Sequence, residues 1–145
     1  MATLQRIAHG ATTEWSTDGT NWSSIAEVKA IAVPTVNTDY QDATSLDSPN
    51  GFSEYVPGLK DAGEISIPAG YTTAVYTDAA GYQAAQTLLY FRTTLPLEQG
   101  QSTTGDVFAY RGYVTPQLEQ NAAGDIIAMT LSVRTSGDVT FTAGS

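Results

Sequence analysis

The chain has 145 residues, no cysteine, a single histidine and a formal net charge of −9 at pH 7. That length suits one domain of ordinary size, large enough to bury roughly 68–70% of its unfolded surface without a metal or a disulfide. The composition excludes disulfides, thiol nucleophiles, cysteine zinc sites and multi-histidine metal sites, and an acidic chain whose only lysines are Lys29 and Lys60 repels nucleic acid and anionic membranes. The absence of cysteine fits assembly in a reducing cytosol.

The N-terminal stretch MATLQRIAHGATTEW has neither a basic leader nor a long apolar core, so it reads as no signal peptide, and no apolar run is long enough to span a bilayer. TEWSTDGTNWSSI reads as a β-hairpin turning at Asp18-Gly19, a pair suited to a two-residue type I′ turn. Trp15 and Trp22 flank that turn and are placed to pair across it. SSIAEVKAIAVP is ambiguous. Ser24 and Glu27 form a capping box and Ile25, Val28 and Ile31 sit at helical spacing, yet the stretch is short and closed by Pro34.

TVNTDYQDAT is rich in strand formers, and GEISIP alternates cleanly, with Ile65 and Ile67 on one face and Glu64 and Ser66 on the other. Between them lies DATSLDSPNGFSEYVPGLKDAG. It has the punctuation of a loop in Pro49, Asn50, Gly51, Pro57 and Gly58, yet carries Leu46, Phe52, Tyr55, Val56 and Leu59. Loops of this length are uncommon, and disordered linkers are poor in such residues.

TDAAGYQAAQTLLYF is the best helix candidate, with Asp78 as cap and Tyr82, Ala85, Leu88 and Leu89 on one face; YFRTTLPL follows as a strand. DVFAYRGYVTPQL, DIIAMTLSVRT and DVTFT all alternate. The pattern predicts a mainly β fold, a β-sandwich or open barrel with one flanking α-helix.

Catalytic sets are scarce. A Ser-His-Asp triad has only His9 to draw on, and there is no phosphate-binding glycine loop. Asp39, Asp42, Asp47, Glu54, Asp61 and Glu64 crowd the long loop without EF-hand spacing and read as a solvated acidic surface. Arg92, Arg111 and Arg134 fall on three predicted strands and form no basic stripe. No catalytic residue, metal or cofactor is assigned.

DGTNWSSIAEVKAI, the long loop, a capped helix, YRGYVTPQL and a last alternating strand together resemble the tail tube (major tail) proteins of long-tailed, siphophage-type bacteriophages over about residues 13–135. The long loop carries the resemblance most specifically. The resemblance implies a single tail-tube domain over residues 1–145, with no appended immunoglobulin-like C-terminal domain. It implies a long loop between two inner-sheet strands, a strand over residues 25–33, and hexameric rings stacked into a hollow tube. It is a structural virion protein in this reading, assembled in the host bacterial cytoplasm. Its implied partners are itself, a tape-measure protein, a tail terminator and tail-tip proteins, with DNA passing through the lumen unbound and no membrane contact.

On this reading Leu46, Phe52, Tyr55, Val56 and Leu59 dock on a neighbouring subunit or the next ring, on a path set by Pro49, Asn50, Gly51, Pro57 and Gly58. Alternation then points Asp42, Thr44, Glu64 and Ser66 into the lumen. The alternatives are the inner tube of a contractile tail or secretion device, a carbohydrate-binding or adhesin module using Trp15, Trp22 and tyrosines, and, least supported, an enzyme built on Asp42, Glu64 or His9.

Overall fold

Period-2 patterning builds the core. Along β6 (Leu89–Thr94), Leu89, Phe91 and Thr93 are buried while Tyr90, Arg92 and Thr94 alternate with them. Along β8 (Ala128–Thr142), Met129, Leu131, Val133 and Thr135 take the inner face. Ile67 and Ala69 of β5 (Glu64–Gly70), Tyr110 and Val114 of β7 (Val107–Leu118) and Trp15 of β1 (Thr12–Ser16) complete it. Each large side chain removed from water in this way contributes about 1.5–3 kcal/mol. The computed structural model that describes these elements covers residues 5–145.

These strands and the short β2 (Ser23–Ser24) form one six-stranded sheet in the order β2-β1-β6-β7-β8-β5, with every pairing antiparallel. The one α-helix among the described residues, α1 (Thr73–Ala85), lies between β5 and β6 in the chain and buries Val75 and Ala79 in the core. Tyr82 meets Trp15 edge-on, ring centroids 5.3 Å apart, and Phe91 stacks on Tyr110 at 5.4 Å. A separate two-stranded ribbon, β3 (Asn37–Asp42) with β4 (Tyr55–Asp61), stands outside this sheet.

The sheet curls until a strip of chain spans its two margins. After β2, the Ile25 N–H donates to Thr13 O on β1 at 2.9 Å. A few residues on, Val28 bridges Ala69 of β5, Lys29 N–H donates to Pro68 O at 2.9 Å, and Gly70 N–H donates to Glu27 O at 2.8 Å. Glu27 turns the strip with a left-handed φ of 61°. The architecture is thus the expected mainly β fold with one helix, in its open-barrel form.

Several local expectations change. Asp18-Gly19 does turn the chain, but as part of a loop over residues 17–22. The Asp18 carboxylate accepts from Thr20 N–H, Asn21 N–H, Asn21 Nδ2 and Ser16 Oγ, which organises a wider turn than a two-residue hairpin. Trp15 faces Ser23 in register and not Trp22, and Trp22 lies under the Arg92 guanidinium at 4.3 Å. Residues 25–33 form neither a helix nor a strand beyond the Val28 bridge, since their polar groups are used to stitch the barrel.

The helix starts earlier than its sequence pattern suggests. Thr72 is its N-cap, Asp78 lies inside it, and Gln86 ends it in a left-handed conformation, which releases Leu89 to β6. The last two predicted strands are one. β8 runs through a bulge in which β7 pairs Tyr110 with Val139 and then Gly112 with Thr135, so that Ser136, Gly137 and Asp138 lie opposite Arg111. Gly137 has φ 108°, and a side chain at Gly112 would sit 2.6 Å from the Arg134 carbonyl oxygen.

Candidate functional site

The ribbon and its tip form an arm that exposes what the barrel hides. Every residue of β4 is exposed. Leu46 is 106% exposed and Leu59 88%, with Phe52, Tyr55, Val56 and Tyr40 also facing solvent. Segment 42–67 is therefore only partly a loop. Tyr55–Asp61 is a strand despite Pro57-Gly58, because a bulge in its pairing with β3 between Thr38 and Tyr40 absorbs the irregularity. A side chain at Gly58 would sit 3.0 Å from Asp39 O.

The tip, residues 43–54, is held from within by polar groups. Ala43 N–H donates to Glu54 O at 2.8 Å, and Glu54 N–H donates to Thr44 Oγ1 at 2.8 Å. Ser48 Oγ bridges Ser45 N–H and the Glu54 carboxylate, each at 2.9 Å. Pro49, Asn50 and Gly51 form a tight helical turn, with Asn50 at φ 55° and Gly51 at φ 71°. With the hydrogen bonds turned inward, Leu46 and Phe52 are left facing out. A two-stranded ribbon is at best marginal in water by itself, and large apolar side chains grouped in this way on a surface are uncommon in a monomer.

The residues assigned to a lumen fall on two elements. Asp42 ends β3, and Thr44 lies just past it, in the tip, donating its N–H to Asp42 Oδ1 at 2.9 Å. Hydrogen bonds from the Thr44 hydroxyl and then its N–H hold the Asp42 carboxyl below its usual range. Glu64 and Ser66 occupy the outer face of β5, opposite Arg134 and Ser132, while Ile65 and Ile67 turn inward. All four proposed residues are exposed.

At the root of the arm, two residues, Ala62 and Gly63, join β4 to β5. Ala62 is buried, Gly63 has φ 69°, and Gly63 O accepts from Thr135 N–H at 2.9 Å. Arg134 Nη2 lies 3.3 Å from Asp61 Oδ2. The Gly63 N–H, and then the Arg134 charge, lower the Asp61 carboxyl from its usual range.

Sequence reasoning missed two further surfaces. At the opposite end of β5, Tyr71, Leu118, Ile126 and Ile127 are exposed together, with Tyr71 N–H donating to Ile127 O at 3.1 Å. The Ile126-Ile127 pair beside an alternating strand was the available signal. The second surface is a groove of about 430 Å³ where β4 leaves β8, lined by Val36, Lys60, Ala62, Thr135, Gly137 and Val139 among others.

The remaining candidates are dispersed. His9 lines a different groove, with Thr13 and residues 28–31 and no carboxylate. Arg92, Arg111 and Arg134 each have a carboxylate neighbour, in Glu14 at 2.9 Å, Asp138 at 3.8 Å and Asp61 at 3.3 Å. Trp15 is buried, so its ring offers no stacking surface. Among the described residues no cluster of histidine and carboxylates is arranged to hold a metal, and no helix is long and apolar enough to cross a membrane.

No family model and no curated protein sequence matches the chain. Solved structures do. A chain in the tail of an empty gene transfer agent particle, refined helically with C6 symmetry, superposes with a TM-score of 0.73 at 17% identity, over 96% of this chain and 100% of that one. A chain of the six-fold symmetrised anti-feeding prophage baseplate gives 0.72 at 12% identity, over 99% and 98%. A chain from the sheath/tube terminator of an extracellular contractile injection system gives 0.73 at 11% identity, over 99% and 100%. At such identities the likeness is one of fold, and the fold extends over nearly the whole chain.

Proposed function

We propose that this chain is the tail-tube subunit of a long, non-contractile phage-type tail: a structural protein that assembles into six-membered rings, stacked into a hollow conduit for DNA. One observation carries the reading. The barrel completes its own core, yet the chain holds Leu46, Phe52, Tyr55, Val56 and Leu59 on an ordered arm in water. The arm leaves one end of β5, and Tyr71, Leu118, Ile126 and Ile127 crowd the other, roughly 20 Å away along the strand. Two unlike apolar surfaces at opposite ends suit head-to-tail stacking, which is heterologous and repeats without limit.

In the assembled tube, Asp42, Thr44, Glu64 and Ser66 face the lumen. An acidic wall with few cations repels phosphate and lets DNA slide. The six-fold order follows the particles whose chains share the fold. The tape-measure protein occupies the lumen, with terminator and tip proteins at the ends, and the tube forms in the host cytoplasm. A second reading, the inner tube of a contractile device, is favoured by the fold shared with the injection-system and anti-feeding prophage chains. A sheath gene beside this one would select it.

Negative-stain electron microscopy of concentrated protein, with light scattering of the same sample, is the test. Rings or hollow tubes are expected. A variant lacking residues 48–58 is expected to remain a folded monomer; normal tubes from it would remove the arm from the mechanism. Asp42→Lys with Glu64→Lys is expected to spare assembly and impair DNA delivery, and normal delivery would refute the lumen assignment.

A further inference from the structure

Two local irregularities converge on the outer face of the sheet. Tyr110 and Val139 turn toward the core, so Ala109, Arg111, Asp138 and Thr140 are left on the opposite face. In register, Arg92, Ala109 and Thr140 form one row across β6, β7 and β8. Tyr90 and Arg111 form the next row, completed by the bulge at Ser136, Gly137 and Asp138. Ala109 and Thr140 are small, and the larger groups around them enclose a depression of about 230 Å³, lined by Trp22, Tyr90, Ala109, Arg111, Asp138 and Thr140 among others. None of the residues assigned to the arm contact or to the lumen lines it.

Each wall of the depression is held by one irregularity. On one side, the loop over residues 17–22 lies against the sheet. Gly19 takes φ 80°, and a Cβ there would be 3.8 Å from the Tyr90 ring. Trp22 is half-buried, with the Arg92 guanidinium 4.3 Å from its ring centroid, and Glu14 holds Arg92 at 2.9 Å. On the other side is the β8 bulge. A side chain at Gly137 would sit 2.6 Å from Arg111 Nη2, so glycine leaves the guanidinium its place, and Asp138 follows beside it. Bulges re-aim side chains in this way and recur next to functional sites.

The groups brought together are a donor, an acceptor, a hydroxyl and two aromatic rings. Arg111 Nη2 and Asp138 Oδ1 stand 3.8 Å apart, close enough to attract and too far to share a hydrogen bond. The guanidinium only donates and the carboxylate only accepts. A vicinal diol suits that gap: one oxygen accepts from Arg111, and the neighbouring O–H donates to Asp138. The Thr140 hydroxyl can do either. Trp22 and Tyr90 supply apolar ring surface for the C–H groups of the same ligand. An anion would meet Asp138 and a cation would meet Arg111, so a neutral ligand fits best. The volume lies below the roughly 300–1,000 Å³ of sites for drug-sized ligands, which suits a single ring.

We propose that this depression binds a neutral pyranose sugar through its vicinal hydroxyls, giving the barrel a glycan contact on its outer face. The proposal does not rest on the tube reading. It adds a binding activity to a chain otherwise read as purely structural.

The methyl glycosides of glucose, galactose, mannose and N-acetylglucosamine are the probes. Each is titrated into the protein and its own protons are read by saturation-transfer difference NMR, which serves monomers and large assemblies alike. At least one is expected to give a saturable signal, strongest on the C–H groups of one ring face. Asp138→Ala, at a side chain 82% exposed, should weaken binding about tenfold, the effect of losing one hydrogen bond to a charged group. Ala109→Leu fills the depression and should abolish the signal. Thermal unfolding checks that both variants fold.

No saturable signal from any of the four sugars would overturn the site. So would a signal that folded Asp138→Ala and Ala109→Leu both leave unchanged, because the sugar then binds elsewhere. If Ala109→Leu does not fold, Asp138→Ala alone decides. None of these results bears on the tube, which micrographs of the wild-type protein judge separately.

Discussion

The barrel and the arm are both made of antiparallel strands from one chain, and they obey opposite rules. In the barrel, Phe91 and Leu131 are inside and the polar partners of each strand are outside. At the arm tip, Ser48, Thr44 and Glu54 bond to one another within the loop, and Leu46 and Phe52 point out. The difference teaches that alternation records burial within the fold, and that apolar side chains outside such a pattern call for another explanation. The barrel is finished when the chain has folded. In the proposed tube, the arm is finished by another surface.

Perturbation separates the two. The largest effect on stability is expected from Phe91→Ala, which empties a site stacked on Tyr110 and close to Trp15. Such truncations cost about 3–5 kcal/mol, and thermal or denaturant unfolding of the monomer measures the loss. Next comes the combined variant Leu46→Ser, Phe52→Ser and Leu59→Ser. It should change monomer stability by only about 0.5 kcal/mol per site or less, while abolishing tubes in micrographs. If it unfolds the monomer, the arm belongs to the barrel's core and the contrast collapses.

The smallest effect is expected from acid. Asp106 accepts from Gly144 N–H and Gln101 Nε2, and from Arg6 Nη2, which together hold its carboxyl below the usual range. A depressed folded-state value means that this stabilisation is present above the ordinary carboxylate range. It is lost as pH falls through the folded value. Asp106→Asn should therefore flatten the acid limb of a stability–pH profile and leave tube formation at neutral pH unchanged.

Much of the barrel was legible because its alternation is strict. β7, β5 and most of β8 follow from period 2 alone, and Ile65 and Ile67 turn inward as their spacing requires. Residues 25–33 were not legible. A capping box and helical spacing are local signals, whereas the Val28–Ala69 bridge depends on a strand more than forty residues away. The helix boundary slipped for a similar reason, since Leu89 satisfies both a helix face and the first core position of β6. On the arm, the exposed side chains Leu46, Phe52, Tyr55, Val56 and Leu59 stand out from composition alone. That Tyr55–Asp61 is a strand does not, because Pro57-Gly58 signals a break that the bulge against β3 accommodates.

The two-residue link from β4 to β5 through Ala62 and Gly63 also has a mechanical side. A pull on the arm directed along β5 passes through those two residues into that strand, which is held to β8 by seven registered residue pairs. Tension in that direction slides one strand along the other, so the rungs of the ladder share the load together. A pull across the strands would open the same rungs one after another. A subunit joined to its neighbours through this arm is braced against stretching along it and gives way more readily to peeling.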